Sequence, residues 1–467
     1  MKKLAALLAL IMTLMELPSC SLTGLSAQNL MAPPKANADQ QAIYRLMQGA
    51  QTDVTFIYPR SGDYRSAIIM RDFTGDGVED AIGFHLVEDG GVEVLFLMKS
   101  GEEWMTAAAY RNIATQVDRV CFGALPGGGE AIFIGWGSTA GATGRTAAVN
   151  AYLYDGSGYV YEHSLGIYGE LILTDFDGDG CHELFAIDKS VPAEEEGAEP
   201  TTARARLFTF DTGQPVEAAG ADADNAISVY SSVVFGQLNA TTQGVVVDGA
   251  TADGSMTTQV FLFDGEKLVN RPWHVNGESL ENPYARPAVT QFYARDINDD
   301  GYIEIPAVTR LPGISEDVAL DSTSYMVEWH ALNPEGESRL VLRALMNPRE
   351  NYWFRLPFPL LGRICATNDP ERRTVTYTEV ITDEEGNQLL GGKLFSIRAF
   401  TRSGWESRGE FSGYTMLASQ NDVVYGIQIT TRDEAARRSV EEIAGDFCLL
   451  TGEADEPELP PSPSPEG

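Results

Sequence analysis

Short runs in which apolar and polar residues alternate fill most of the chain between residues 65 and 430. Three of these runs, residues 94–110, 150–164 and 259–273, alternate on both sides of a Lys-Ser-Gly, Asp-Gly or Ser-Gly turn. Alternation of this kind around a glycine-containing turn is typical of a β-hairpin. Another strand-like run precedes each hairpin, and a further one lies before that. The pattern therefore predicts antiparallel strands in groups of four.

The groups recur along the chain. Acidic segments begin at Asp72, Asp175 and Asp296, and read DFTGDGVED, DFDGDGCHE and DINDDGYIE. Two further segments, at Gly123 and Gly236, occupy the same place in the pattern but lack the acids. These five origins lie 51 to 61 residues apart, which indicates a repeated unit that cannot bury its faces alone. Four strands per unit correspond to one blade of a β-propeller, whose blades stack around an axis.

The acidic segments are candidate calcium sites. In the second segment, Asp175, Asp177, Asp179 and Glu183 occupy positions 1, 3, 5 and 9 of a tight turn that contains Gly180. Ca²⁺ prefers several oxygen ligands, and the carbonyl group at position 7 would add one more. The alternative interpretation is an ordinary acidic turn, because Asp and Gly favour turns for conformational reasons alone.

All three segments resemble the loops of FG-GAP or VCBS repeats in integrin-α-like propellers, which read Asp-x-Asp/Asn-x-Asp-Gly-x-x-Asp. The resemblance covers roughly residues 60–345 and implies Ca²⁺ bound by side chains at positions 1, 3, 5 and 9 and by the carbonyl at position 7. The implied ligands are Asp72, Thr74, Asp76, Val78 and Asp80; Asp175, Asp177, Asp179, Cys181 and Glu183; and Asp296, Asn298, Asp300, Tyr302 and Glu304.

The segments depart from the family pattern in three ways. Thr74 replaces an acid, Glu183 and Glu304 are longer than Asp by one methylene, and two of the five repeats lack acids. The segment at Asp175 has four carboxylates and the others have three, so we expect it to bind calcium most tightly. An EF-hand is disfavoured, because position 12 is Gly or Ala instead of Glu and strands flank the loops.

The N-terminus reads as a bacterial export signal. Lys2 and Lys3 precede an apolar run that is too short to span a membrane, and Leu-Pro-Ser-Cys follows it. This last motif resembles a lipobox, which implies cleavage before Cys20 and lipid attachment to its thiol; plain secretion is the alternative. The predicted organisation is a signal peptide at 1–19 and a flexible tether at 20–40. The predicted location is the bacterial cell membrane, lipid-anchored on the extracytoplasmic face.

The charge of the chain limits its partners. Its 467 residues carry a formal net charge of −34, which would repel the phosphates of a nucleic acid. The same charge would be repelled by anionic lipid, so attachment to the membrane would depend on the acyl chains. Of the five cysteines, the four beyond Cys20 allow three disulfide pairings, and free thiols are the alternative. The five histidines are dispersed, which gives a zinc site no support.

The complete predicted fold class is mainly β: a propeller of about five to seven four-stranded blades at residues 41–350, followed by a small α+β domain at 351–452. In the second domain, strands precede a helix that places Val440, Ile443, Ala444 and Phe447 on one face, after a capping box at residues 431–434. The alternative is a further blade at residues 352–411. Residues 453–467 read as a disordered, acidic, Pro-rich tail.

Two functions are compatible with these features. The first is a lipid-anchored, calcium-stabilised binding or scaffold protein whose partner is a protein or a glycan. The second is a surface polysaccharide hydrolase or lyase on a propeller scaffold, which would require acids gathered at one face and not directed at metal. No nucleophile motif or phosphate-binding loop is present in a suitable context, so the sequence favours the binding function and predicts no catalytic residue.

Overall fold

The computed structural model describes residues 38–49, 54–88, 90–137, 147–190, 201–271, 274–275, 278–279, 284–314, 325–332, 337–408, 413–432 and 437–450. Within these ranges the protein is mainly β, and six antiparallel sheets of four or five strands follow one another along the chain. The prediction of antiparallel four-stranded units is confirmed.

The first three sheets each have four strands in chain order. Sheet 1 contains β1 (Ile68–Arg71), β2 (Asp80–Leu86), β3 (Val92–Ser100) and β4 (Glu103–Asn112). Sheet 2 contains β5 (Gln116–Ala124), β6 (Glu130–Gly137), β7 (Ala147–Tyr154) and β8 (Val160–Tyr168). Sheet 3 contains β9 (Glu170–Thr174), β10 (Glu183–Ile187), β11 (Arg204–Thr209) and β12 (Val216–Asp222).

Sheet 4 contains β13 (Ile227–Asn239), β14 (Thr242–Thr251), β15 (Ser255–Phe263) and β16 (Leu268–Asn270). The short strands β17 (His274–Val275) and β18 (Glu278–Ser279) pair with each other, and β19 (Arg286–Pro287) pairs with β15. Sheet 5 contains β20 (Ile305–Arg310), β21 (Tyr325–Leu332), β22 (Ser338–Asn347) and β23 (Tyr352–Arg355). Sheet 6 contains β24 (Ile364–Asp369), β25 (Thr374–Thr382), β26 (Gln388–Thr401), β27 (Thr415–Gln420) and β28 (Val423–Ile429).

Consecutive sheets pack face to face. Their second strands, such as β2 and β10, are buried along almost their whole length, because both faces are covered. Aromatic pairs mark the interfaces: the ring centroids of Phe96 and Tyr152 lie 4.9 Å apart between sheets 1 and 2, and those of Phe185 and Phe261 lie 5.4 Å apart between sheets 3 and 4. Each such interface supplies the core that a single sheet lacks.

Helices cover the outer faces of the first and last sheets. Helix α1 (Ala38–Gln48) buries Ile43 and Met47 against sheet 1, in a cluster with Leu95 and Leu97. Helix α2 (Arg402–Arg408) places Trp405 5.4 Å from Phe400 of sheet 6, measured between ring centroids. None of the hydrophobic clusters within the described ranges joins sheet 1 to sheet 6.

The region after residue 350 continues the series of sheets. Strand β23 pairs with β22, so a division at residues 350/351 falls between two hydrogen-bonded strands of sheet 5. A third helix, α3 (Val440–Ala444), has its N-cap at Ser439 instead of near Thr431, since Ser439 and Glu442 form the capping box. The last strand, β29 (Phe447–Leu449), returns to pair with β23. Phe447 therefore belongs to a strand and not to the predicted helical face.

The boundary of the predicted tether changes in detail. Helix α1 begins at Ala38, so an ordered element includes the last residues of the predicted tether. The signal peptide, Cys20 and the predicted tail lie outside the described residues, as do Asp433 and Glu434 of the predicted capping box. Sheet 6 extends from residue 364 to residue 429, beyond the C-terminal limit of the alternative blade at 352–411.

The packing of α1 on sheet 1 can be tested with two isoleucines. Ile43 is fully buried, so Ile43→Ala should lower the free energy of unfolding by about 2–5 kcal/mol. Ile113 is 98% exposed, and Ile113→Ala should change the free energy by less than about 0.5 kcal/mol. Urea unfolding of both variants measures the difference. Equal effects would contradict the packing of the helix against the sheet.

Candidate metal centre

In sheets 1 and 3, the acidic loop connects the first strand to the second. The third acidic loop leads into β20, the first strand of sheet 5. In each loop, the residue before position 1 pairs with the acid at position 9. These pairs are Arg71 with Asp80, Thr174 with Glu183, and Arg295 with Glu304. The strands fix both ends of the loop, and the acids between them occupy equivalent places. The predicted correspondence of the three segments is therefore confirmed at the level of the backbone.

The carboxylate at position 1 organises each turn. Its Oδ2 atom accepts the backbone N–H of the glycine at position 6, with N–O distances of 2.8 Å to Gly77, 2.9 Å to Gly180 and 2.7 Å to Gly301. These glycines have φ angles of 85°, 89° and 87°, which L side chains rarely adopt. Glycine at position 6 thus allows the backbone to fold around the first carboxylate.

The acid at position 9 is buried in every loop. Asp80, Glu183 and Glu304 are 1%, 3% and 0% exposed. Burial raises the pKa of Asp80 to about 6 and that of Glu183 and Glu304 to about 7, since desolvation disfavours the charged form. Neighbouring acids raise the pKa values further, and backbone N–H donors partly offset the change.

The departures from the family pattern have local explanations. Asp80 accepts both the N–H and the hydroxyl of Thr74, at 3.2 and 2.9 Å. Glu183 accepts the N–H of Phe176 at 2.8 Å, and Glu304 accepts that of Ile297 at 3.0 Å. The shorter acid therefore bonds to position 3 and the longer acids bond to position 2, so each length matches a different donor.

The carboxylates converge most closely in the second loop. One oxygen each of Asp175, Asp177 and Glu183 lies within 4.8 Å of the others, and no second group of three acids, histidines or cysteines in the described ranges does so. Asp179, the fourth predicted side-chain ligand, accepts the N–H of Cys181 at 2.7 Å. In the first and third loops, Asp76 accepts from Val78 and Asp300 accepts from Tyr302, at 2.8 and 3.0 Å.

The donor set fits a hard divalent cation. All converging atoms in the second loop are carboxylate oxygens, the ligands that Ca²⁺ prefers. In the third loop, Glu304 Oε1 is buried without a hydrogen-bond partner among the described residues, and Asn298 donates to Asp300 at 2.9 Å. A buried acceptor that lacks a partner costs free energy, which a bound cation would recover.

The loops also contact the neighbouring sheet. At position 8, His182 donates its N–H to the carbonyl of Ala124 in sheet 2, and Ile303 donates to that of Gln237 in sheet 4, at 3.0 and 2.8 Å. In the first loop, the carbonyl of Phe73 accepts the N–H of Glu130 at 3.0 Å. Each acid-bearing loop therefore lies beside a turn of the kind that lacks acids, at a junction between two sheets.

Sequence reasoning did not find the residues that fasten these junctions. Arg71, next to the first loop, makes a two-bond ion pair with Glu130 of sheet 2, at 2.6 and 2.5 Å. Between sheets 2 and 3, Arg119 contacts Glu170 at 2.9 Å. The partners are about 50 to 60 residues apart in sequence, as a contact between successive repeats requires, and that spacing was the available signal.

The structure describes the four cysteines beyond Cys20 and most of the chain in which a membrane-spanning helix could occur. Cys121, Cys181, Cys365 and Cys448 are all free thiols. A search of the described residues finds no helix that is both long and apolar enough to cross a membrane. Lipid attachment at Cys20 stays a prediction, since that residue lies outside the described ranges.

No protein-family model matches the chain, and no curated protein matches it. Among solved structures, the chain is similar to the periplasmic gluconolactonase PpgL of Pseudomonas aeruginosa, with 14% sequence identity and a TM-score of 0.24. The match covers 73% of this chain and 84% of the other.

The raised pKa of Glu183 predicts how stability depends on pH when metal is removed. Protonated Glu183 contributes fully to the stability of the folded protein below the pKa of an unfolded glutamate, about 4.3. This contribution is lost as the pH rises through about 7. In excess EDTA, wild-type protein should therefore lose stability relative to Glu183→Gln between pH 5 and pH 8. Thermal unfolding at both pH values measures this difference. A constant difference across the range would contradict the assigned burial of the charge.

Proposed function

We propose that this protein is a lipid-anchored, calcium-stabilised binding or scaffold protein on the extracytoplasmic face of a bacterial membrane. The convergence of Asp175, Asp177 and Glu183 within 4.8 Å carries the calcium assignment. The six sheets would act as blades of a β-propeller or a propeller-like array, each a four-stranded antiparallel unit packed against the next. The resemblance of the loops to FG-GAP and VCBS repeats agrees with this proposal.

The position of the loops suggests what calcium would do. Each loop bonds to a neighbouring sheet, and its position-9 acid is buried beneath the turn. A cation held by the side chains at positions 1, 3 and 9 would neutralise that buried charge and fix the turn against its neighbour. Calcium would then stabilise the junctions between sheets instead of taking part in a reaction.

Attachment to the membrane rests on the N-terminal sequence. A basic region, a short apolar run and Leu-Pro-Ser-Cys precede a chain with a net charge of −34. Electrostatic attraction to anionic lipid would not hold such a chain, whereas two or more acyl chains on Cys20 would. The first described helix begins only 18 positions after this cysteine, so the sheets would lie near the membrane surface.

The hydrolase alternative has less support. It requires paired carboxylates outside the metal loops, with a separation suited to a glycosidic bond. Asp175, Asp177 and Glu183, which converge within 4.8 Å, lie in the second loop and meet as metal ligands would.

Calcium should stabilise the full chain, and the second loop should contribute most. Ca²⁺ at about 10 mM and dissociation constants of about 10⁻⁴–10⁻³ M would add about 1–3 kcal/mol per site. Calorimetric titration and thermal unfolding with Ca²⁺ or EGTA measure this for Asp72→Ala, Asp175→Ala and Asp296→Ala. Asp175→Ala should cause the largest loss.

Asp155→Ala is the matched control for these variants. Asp155 also accepts backbone N–H groups in an exposed turn, from Ser157 and Tyr159, but it has no converging acids. Its substitution should leave the calcium response unchanged. A melting temperature that is indifferent to EGTA in the wild type would overturn the calcium assignment.

The lipid anchor has a separate test. Cys20→Ser removes the thiol that would be acylated, so the protein should move from the membrane fraction to the soluble extracytoplasmic fraction. Cys121→Ser, which removes the free thiol of Cys121, should stay with the membrane. Fractionation after expression in a bacterial host, with metabolic labelling by a fatty acid, measures both. Retention of Cys20→Ser in the membrane would contradict the anchor.

A further inference from the structure

Two adjoining cavities lie beside the segment that precedes the third acidic loop; the larger is lined by residues of sheets 5 and 6 and the smaller by residues of sheet 5. The larger has a volume of about 360 Å³ and the smaller about 220 Å³. Both are lined by the segment at Gln291 and Phe292 and by Met346 and Pro348 at the end of β22, so they form one cleft. The larger cavity alone is within the range of small-molecule sites, about 300–1,000 Å³.

Two arginines of the cleft have no acidic partner among the described residues. Arg295 lines the smaller cavity, where its guanidinium lies 5.6 Å from the centre of the Trp329 ring. Arg349 lines the larger cavity and is exposed. In a chain with 67 acids and 33 basic residues, arginines that lack an acid are unexpected. Stacking on an indole restricts the guanidinium while leaving its N–H groups available at the edges.

The acids of the cleft are already paired. Glu350, only 7% exposed, accepts two bonds from Arg373, at 2.9 and 2.5 Å. Asp369 lies 3.7 Å from Arg372 and accepts its backbone N–H. The charges of Arg295 and Arg349 therefore remain in excess, and the cleft is locally positive on an acidic protein.

Two buried donors line the same cleft. The indole Nε1 of Trp329, which is 1% exposed, and the hydroxyl of Tyr325, which is 8% exposed, have no hydrogen-bond partner in the described ranges. Trp329 belongs to the smaller cavity and Tyr325 to the larger. Buried donors without acceptors are uncommon, and each one costs free energy until an acceptor reaches it.

We propose that this cleft binds an acidic saccharide, with the carboxylate of a uronic acid held by Arg295. The amides of Gln291, Asn347 and Asn368 line the larger cavity and can both donate and accept, as sugar hydroxyls require. The excess of guanidinium over free carboxylate selects a charged sugar over a neutral one. This inference rests on the proposed binding function and names the class of partner.

Calorimetric titration of the full chain with digalacturonate tests the proposal, at constant calcium and moderate salt. Wild-type protein should bind it, and the neutral disaccharide lactose should bind at least tenfold more weakly. Arg295→Gln should weaken digalacturonate binding by about tenfold to a hundredfold, which is the effect of losing charge-assisted hydrogen bonds. Arg295→Lys should recover part of the affinity.

Arg355→Gln is the matched control, because Arg355 is also stacked on a tryptophan of sheet 5, Trp353, but lines neither cavity. It should bind digalacturonate like the wild type. The melting temperature and calcium response of every variant show whether it is folded. Trp329→Phe keeps an aromatic ring and removes the N–H donor, so it should weaken binding without abolishing the calcium response.

Three results would overturn the proposal: no binding of digalacturonate, equal binding by Arg295→Gln, or tighter binding of the acidic dipeptide Glu-Glu, which would assign the cleft to a peptide. Each of these, obtained with a normal calcium response, would reject the saccharide site and leave calcium stabilisation intact. Loss of the calcium response in wild-type protein would instead reject the calcium-stabilised scaffold.

Discussion

The packing of one sheet against the next is the interaction on which the rest of this protein depends. A four-stranded antiparallel sheet with two apolar faces cannot be stable alone, and here the second strands of successive sheets are covered on both sides. The aromatic contacts between sheets supply this cover, from Phe96 and Tyr152 near one end to Phe354 and Tyr377 near the other. At the two outer faces, where no neighbouring sheet joins the described clusters, helices α1 and α2 take that role.

The acidic loops follow from the same constraint. They occur in sheets 1, 3 and 5 and alternate with turns that lack acids in sheets 2 and 4. Position 8 of the second and third loops makes the same backbone bond to the preceding sheet, through His182 and Ile303. The structural period is therefore two sheets, one with an acidic loop and one without. Each acidic loop makes a backbone hydrogen bond to a neighbouring sheet whose own turn lacks acids.

Sequence reasoning identified the four-stranded units and the equivalent places of the three loops within them, because alternation and acid spacing are local properties. It did not identify the path of the chain after residue 350. The strand-like pattern of residues 364–429 is the same in a further sheet and in a separate α+β domain, and only the pairing of β23 with β22 and β29 distinguishes them. It also missed Arg295 and Trp329, whose proximity depends on the pairing of sheet 5 and leaves no mark in local sequence.

The return of β29 to sheet 5 has a consequence for the order of assembly. Strand β23 ends at Arg355, and its outer partner begins at Phe447, after all strands of sheet 6 have been made. During synthesis, the edge of β23 is therefore exposed to other chains until the C-terminal residues have been made, because an unpaired strand offers free backbone donors and acceptors. A polypeptide that ends before Phe447 would leave the edge of β23 unpaired. Pairing with β29 therefore protects this edge from aggregation once the chain is complete.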